Sequence, residues 1–357
     1  MIAAKLVTFI VPDYPTRWLI VTTGHAEQDG RLQRHLELIA GAGHIGSIAS
    51  HTNLSRPGRI LKNPWLVASA IRKNQPDIVL FPDPELWAFG PIIARMLRAQ
   101  SVIDIHEDYR AVSYGRPWIP KPMRRLFGSA TSVLMALGRR TCSAVLVAAP
   151  ELAINGDITL RNLPITVTPI SEKPLFATTK RLVYVGAVTV DRGLWEMLEL
   201  AKDQPDYVLD LVGPIDKDLR EQARKWLAEQ EMTDRVTIHG RRSYEASWNL
   251  AQDASIGLAL LRSTPAYQSA TPTKIWEYLA HGLPVLCSDL PPAKRVVTAS
   301  GAGLVAHDRT SRNQAVQDLI KNHSQHAARG RAYISTFSNE TTEAFQQLLS
   351  QLRYASK

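Results

Sequence analysis

In the run TPTKIWEYLAHGLPVLCSDLPP, residues 271–292, a lysine and a glutamate stand three residues apart at the start of a short helical pattern. Thr271 suits a helix cap and Pro272 its first position. Gly282 ends the pattern and Pro284 forbids its continuation. Lys274 and Glu277 therefore share a face; Ile275 and Leu279 share another, expected to be the buried one. A helix N-terminus with a cation in its first turn suits an anion. A carboxylate one turn deeper repels phosphate but accepts hydrogen bonds from two adjacent hydroxyls, as a ribose offers. The same spacing fits an exposed ion pair of little energetic weight.

A second place for chemistry is RLVYVGAVTVDRGLWEMLELAK, residues 181–202. Gly186 ends an apolar run, and a helical pattern begins near Gly193. A glycine-containing turn lets backbone N–H groups approach an anion, and Arg192 would add a planar, permanent cation. An ordinary turn with a solvated arginine reads the same way. The three-glycine dinucleotide fingerprint and the P-loop Lys-Ser/Thr pair are both absent.

Two further runs end in acids: PDIVLFPDPELWAFG with Asp83 and Glu85, and VIDIHEDYR with His106, Glu107 and Asp108. Consecutive side chains in such a run point in different directions, which argues against a metal site. Hydrogen bonding to a polar substrate, or local capping, fits better. No G-x-S-x-G nucleophile elbow is present.

These residues need elements to hold them. Expected strands are WLIVTT, IGSIAS, DIVLF, VIDI and AVLVA in the first half, and RLVYVG, YVLDLVG, VTIHG, IGLALL and PVLCS in the second. Most are continuous apolar runs, as in parallel strands buried on both faces. Helical patterns alternate with them, which predicts an α/β fold of doubly wound units. Residues 161–181, rich in Pro and Thr, divide the halves. The expected domains are 1–165, 166–335 and a C-terminal helix, 336–357, packing back on the first. In open parallel sheets ligands sit at the carboxyl ends of the strands, where the residues above fall.

At 357 residues the chain is long enough for two domains. Its 45% hydrophobic and 21% charged residues exclude a disordered or fibrous protein. Cys142 and Cys287 sit in apolar runs without a metal or redox partner and read as inert buried thiols. No apolar run approaches the ~20 residues that span a bilayer, and the N-terminus lacks the long apolar region and cleavage site of a signal peptide.

The net charge of +9 points to an anionic partner. Residues 111–150 hold Arg116, Lys121, Arg124, Arg125, Arg139 and Arg140 and no Asp or Glu ahead of residue 150. Within them Met123, Leu126, Phe127, Ala130, Val133, Leu134 and Leu137 recur at spacings of three and four, giving an amphipathic helix with basic ends. It suits an anionic lipid surface, or a sheet face with its arginines in water. Without a helix-turn-helix, zinc-finger or RNP pattern, nucleic acid is not an expected partner.

The order YVGAVTVDRGLWEMLELA, LDLVG, VTIHGRRSYEASWNLAQDASIGLALL, TPTKIWEYLAHGLPVLCSDLPP, GAGLVA resembles family 4 glycosyltransferases, and DGRLQRHLELIAGAGH, DPELW and IDIHEDY extend the resemblance over residues 18–350. It implies the GT-B fold: two Rossmann-like parallel-sheet domains facing across a cleft. It further implies retaining, metal-independent transfer from a nucleotide-diphosphate sugar, with no cofactor, to a glycan or lipid-linked acceptor. On that resemblance Arg192 and Lys274 meet the donor phosphates, Glu277 binds the ribose and His106 lies near the transferred sugar. Gly186, Arg241 and Ser269 join the donor set. Asp83, Glu85, Glu107 and Asp108 are candidates on the acceptor or sugar side. Ser269 stands where the family has a glutamate, and Ala187 where it has an arginine. The six basic residues are membrane-contact candidates for a cytoplasmic protein peripheral on the inner face of the cell membrane. A nucleotide-sugar 2-epimerase and a non-catalytic nucleotide-sugar-binding partner are the competing functions.

Overall fold

All ten expected strands form. The computed structural model describes residues 15–24, 29–50, 56–110, 113, 119–161, 163, 180–269 and 272–355. Thr271, Arg116 and most of the stretch 161–181 lie outside them. The chain divides into two units, the first of residues 1–165 with 337–357 and the second of residues 166–336.

The first unit holds β1 (Arg17–Thr22), β2 (Ile45–Ser50), β3 (Ile78–Phe81), β4 (Gln100–Ile105), β5 (Ala144–Val147) and β6 (Ile158–Thr159). They form one parallel sheet in the order β2-β1-β3-β4-β5-β6. The continuous apolar reading of β1 is explained by cover on both sides. Trp18 and Ile20 face the Gly30–Gly41 helix and the end of the C-terminal helix, through Leu32, Ile39, Phe345 and Leu348. Leu19 and Val21 face the Arg56–Asn74, Gly90–Met96 and Arg124–Thr141 helices, through Val67, Ile71, Ala94 and Met135.

The second unit holds β7 (Arg181–Val185), β8 (Val208–Val212), β9 (Val236–Gly240), β10 (Ile256–Ala259), β11 (Val285–Ser288) and β12 (Gly303–Ala306). Its parallel sheet runs β12-β11-β10-β7-β8-β9. Strand order reverses between β1 and β3 in the first unit and between β7 and β10 in the second. Such reversal points open a crevice at the strands' carboxyl ends. β6 and β12 escape the sequence reading: one is two residues long, and the other begins on a glycine.

The Arg124–Thr141 helix seats differently from its apolar pattern. Met123, Leu126, Val133 and Leu137 are exposed, and the side turned inward carries Gly128 and Gly138. A Cβ on Gly138 would stand 2.9 Å from Trp87 Cβ and 3.1 Å from Ile103 Cδ1, so the missing side chain lets the helix approach the sheet. Most of the apolar stripe thus faces outward, with Phe127 and Leu134 half-buried. Burial pushes the Cys142 thiol up to about 11 and the Cys287 thiol up to about 12, in keeping with unreactive cysteines.

Candidate functional site

The loop after β7 is held tightly at both ends. The Gly186 N–H donates to Val212 O at 2.8 Å, joining it to the end of β8. Gly193 caps the Leu194–Asp203 helix at φ +82, and a Cβ there would lie 1.8 Å from the Leu260 carbonyl oxygen. Left-handed backbone against another chain segment admits only glycine. Across the reversal point, Arg262 N–H donates to Asp191 O at 2.9 Å. Arg192 is half-buried, and its Nε donates to the Tyr267 hydroxyl at 3.1 Å. Tyr267 belongs to a short helical turn, Pro265–Ser269. The guanidinium is therefore positioned rather than solvated.

The Lys274–Glu277 helix spans Thr273–Ala280, one residue later than the sequence suggests, with Pro272 at the cap position and no side-chain cap. Gly282 does end it, left-handed at φ +67. The helix is buried on all sides from Ile275 to Ala280, not on one face. Glu277 is 1% exposed. Its carboxylate accepts from the Lys274 ammonium, which also lies 5.6 Å from the centre of the Trp248 ring. This is no surface ion pair: the carboxylate is out of water and packed beside a cation. Trp248 stacks on His281 at 4.1 Å. Burial pushes the His281 imidazole down to about 4; Glu277 opposes the shift and Lys274 adds to it. The ring is therefore neutral at physiological pH.

Tyr278 ties this helix to the reversal point. β7 and β10 pair only at Ile256 with Leu182 and Gly257 with Val183. Beyond that, the Tyr278 hydroxyl accepts from Val185 N–H at 2.9 Å and donates to Leu258 O at 3.3 Å. The side chain stands in for the next rung of the ladder while its backbone carries Glu277. Tyr278→Phe should keep the packing but leave two buried backbone groups unmet, at about 1–3 kcal/mol. Denaturant unfolding checks this; an unchanged midpoint would mean that the two hydrogen bonds contribute nothing.

In the first unit, Asp83 Oδ2 accepts from the Thr22 hydroxyl at 2.7 Å, Thr23 N–H at 2.7 Å and Gly24 N–H at 3.0 Å. Glu85 accepts from the Thr23 hydroxyl at 2.9 Å. Both carboxylates thus fasten β3 to the end of β1 at the reversal point. His106 follows β4, and the Tyr109 hydroxyl lies 3.1 Å from its Nε2 and 3.2 Å from its Nδ1. Tyr109 in turn meets Trp87 edge-on at 5.3 Å. Asp108 accepts from Arg110 N–H at 3.1 Å, a local turn contact, and Glu107 is half-buried beside it.

Sequence reasoning missed the buried neighbour of this set. Asp104, fully buried on β4, accepts from Arg31 through two donors and lies 3.0 Å from His35 Nε2. Burial alone would raise the Asp104 pKa, but Arg31 and His35 hold it well below the usual carboxylate range. Its partners come from the helix that follows β1, out of reach of any local pattern. Tyr267, Trp248, His281 and Tyr278 were missed as well. A hint for Tyr278 was a hydroxylated aromatic on an otherwise apolar helix stripe.

The remaining candidates scatter. Arg241 is exposed after β9, and Ser269 closes the Pro265–Ser269 turn. Arg139 turns inward, 2.7 Å from Asp157 and donating to Leu152 O, and Arg124 donates to Ile119 O. Both are tied to the protein; Arg125 and Arg140 are exposed. Lys121 lies in the turn that leads into the helix. Among the described residues no group of three or more His, Cys, Asp or Glu is placed to hold a metal ion.

Two parallel six-stranded sheets, each flanked by helices, are the α/β architecture of GT-B glycosyltransferases. Residues 168–334, nearly the whole second unit, match the family described as Glycosyl transferases group 1. Over 150 residues the chain is 30% identical to GDP-mannose:cellobiosyl-diphosphopolyprenol alpha-mannosyltransferase of Xanthomonas campestris, a match covering 41% of this chain and 37% of that protein. Among solved structures, sucrose-phosphate synthase from Thermosynechococcus elongatus superposes with a TM-score of 0.68 at 16% identity, covering 95% of this chain and 100% of the other. Anabaena HepE in complex with UDP and glucose superposes with a TM-score of 0.67 at 13% identity, covering 94% and 100%.

Proposed function

We propose that the protein is a retaining, metal-independent glycosyltransferase that moves a sugar from a nucleotide-diphosphate sugar to a glycan or lipid-linked acceptor, in cell-surface polysaccharide or glycolipid synthesis. The observation that carries the reading lies within the second unit. Arg192 follows β7 and is held by Tyr267, and the helix bearing Lys274 and Glu277 is fastened by Tyr278 to the same strand end. A cation on each side of the crevice suits a diphosphate, and a buried carboxylate suits a ribose.

In this reading the bond between the anomeric carbon and the diphosphate oxygen breaks, and the acceptor oxygen bonds to the same face of that carbon. The acceptor's proton passes to the leaving phosphate oxygen. Arg192 and Lys274 stabilise the negative charge that grows there. The Lys274 ammonium has three donors, so pairing with Glu277 leaves it capacity for phosphate. His106 keeps the role the resemblance gives it, a hydrogen bond to a hydroxyl of the transferred sugar. The relative named for a GDP-mannose donor and a diphosphopolyprenol acceptor supports a lipid-linked acceptor. No described helix is long and apolar enough to cross a membrane, and the exposed Arg125 and Arg140 favour a peripheral position on an anionic, cytoplasmic face.

A panel of UDP-, GDP- and TDP-sugars, with product analysis in the presence and absence of a chelator, tests the reading. Transfer or slow hydrolysis with an unchanged anomeric configuration, surviving the chelator, is the expected result. An isomerised donor would instead indicate an epimerase, and a bound but unchanged donor a non-catalytic partner.

A further inference from the structure

Among the described residues, exposed large apolar side chains concentrate on the outer surface of one helix layer in the first unit. The Arg56–Asn74 helix packs against Gly90–Met96, which packs against Arg124–Thr141, and all three cover the same face of the sheet. Ten large apolar side chains are exposed among the described residues, and seven of them lie on this layer or in the turn that enters it. Trp65 is 69% exposed, Met96 77% and Leu126 65%. Scattered exposed apolar residues are ordinary, but their concentration on one layer marks an interaction surface.

Charge says what covers it. The three helices carry ten Lys or Arg residues and no Asp or Glu; Arg139 turns inward to Asp157, while Lys62, Arg72, Lys73, Arg95, Arg125 and Arg140 are exposed. The opposite layer of the same unit is not so biased, with Glu37 on one helix and Glu340 and Glu343 on the other. A surface that combines exposed tryptophan, methionine and leucine with cations and excludes carboxylates complements an interface of apolar chains beneath anionic headgroups. A second copy of the chain would bring an equally basic face against this one, which like-charge repulsion opposes.

We infer that the whole three-helix layer, and not the Arg124–Thr141 helix alone, docks on an anionic lipid bilayer, with Trp65 and Met96 entering the interface beside Leu126 and Val133. This rests on the membrane-facing part of the proposed function and extends it to two helices whose sequence gave no such sign. It is independent of which sugar is transferred.

The experiment is co-sedimentation of the full chain with vesicles of phosphatidylcholine containing about a third phosphatidylglycerol, and with pure phosphatidylcholine, at low and high salt. Trp65→Ser/Met96→Ser removes apolar side chains outside the Arg124–Thr141 helix, and Leu126→Ser/Val133→Ser removes them on it. Thermal unfolding and light scattering report folding and oligomeric state. The wild type should bind the anionic vesicles in a salt-sensitive manner, and each double variant should bind roughly tenfold more weakly at unchanged melting temperature. If Trp65→Ser/Met96→Ser binds like wild type while Leu126→Ser/Val133→Ser does not, the three-helix layer is overturned and the single basic helix stands. If the wild type ignores anionic vesicles at low salt, both fail. A variant that changes the oligomeric state instead of vesicle binding assigns the face to a second copy and overturns the inference.

Discussion

Replacing Arg192 with alanine is expected to reduce turnover by about 100- to 1,000-fold, the range seen when one charge-stabilising donor is removed from an active site. The folded state should be little disturbed. The side chain is half-buried, and its described side-chain hydrogen bond goes to a tyrosine hydroxyl, not to a buried carboxylate. The loop around it is fixed independently, by Gly193 against Leu260 and by the hydrogen bond between Arg262 and Asp191. The loss should therefore appear in kcat with a smaller change in melting temperature. Arg192→Lys should recover only part of the rate, because an ammonium is a point charge without the planar fork that grips two phosphate oxygens. Initial rates with saturating donor, alongside thermal unfolding, make the measurement. Near-normal transfer by Arg192→Ala would show that the leaving phosphate is stabilised elsewhere.

The fold was legible because a strand buried on both faces has to be apolar throughout, and few other local structures are. AVLVA and PVLCS could hardly be anything else. Where burial does not write so plainly, the sequence left two readings open. The stripe Met123–Leu126–Val133–Leu137 has the period of a packed helix face, yet Gly138 seats the helix and the stripe faces outward. Periodicity reports that a helix has two faces and leaves open which one the sheet receives. The site was legible in its local parts and opaque in its long-range ones. The glycine turn before Arg192 and the spacing of Lys274 and Glu277 are each contained in one short run. The groups that hold them are distant in sequence: Tyr278 reaches Val185 across 93 residues, and Arg31 reaches Asp104 across 73. Nothing near Glu277 in the sequence distinguishes an exposed pair from a buried one. That distinction comes from the burial of the whole Thr273–Ala280 helix against the sheet, which exists only once the sheet is assembled.

Glu277→Ala is expected to cost both stability and donor binding, and the two losses can be separated. Glu277 is 1% exposed and its partner Lys274 is 24% exposed at the side chain. Removing the carboxylate leaves an ammonium that is mostly out of water, supported by the Trp248 ring face. Breaking a fully buried pair in this way costs about 3–5 kcal/mol, and the partial exposure of Lys274 should bring the loss toward 1–3 kcal/mol. Adding Lys274→Met removes the orphaned cation, keeps an unbranched chain against Trp248 and should restore much of the stability. It should not restore nucleotide-diphosphate affinity, since the ribose would still lack its acceptor and the phosphate would have lost a cation. Calorimetric titration with nucleoside diphosphates, set beside denaturant unfolding of the single and double variants, gives the full cycle. If the double variant regains both stability and wild-type nucleotide affinity, Glu277 serves only as the counter-ion of Lys274, and the carboxylate has no part in holding the donor.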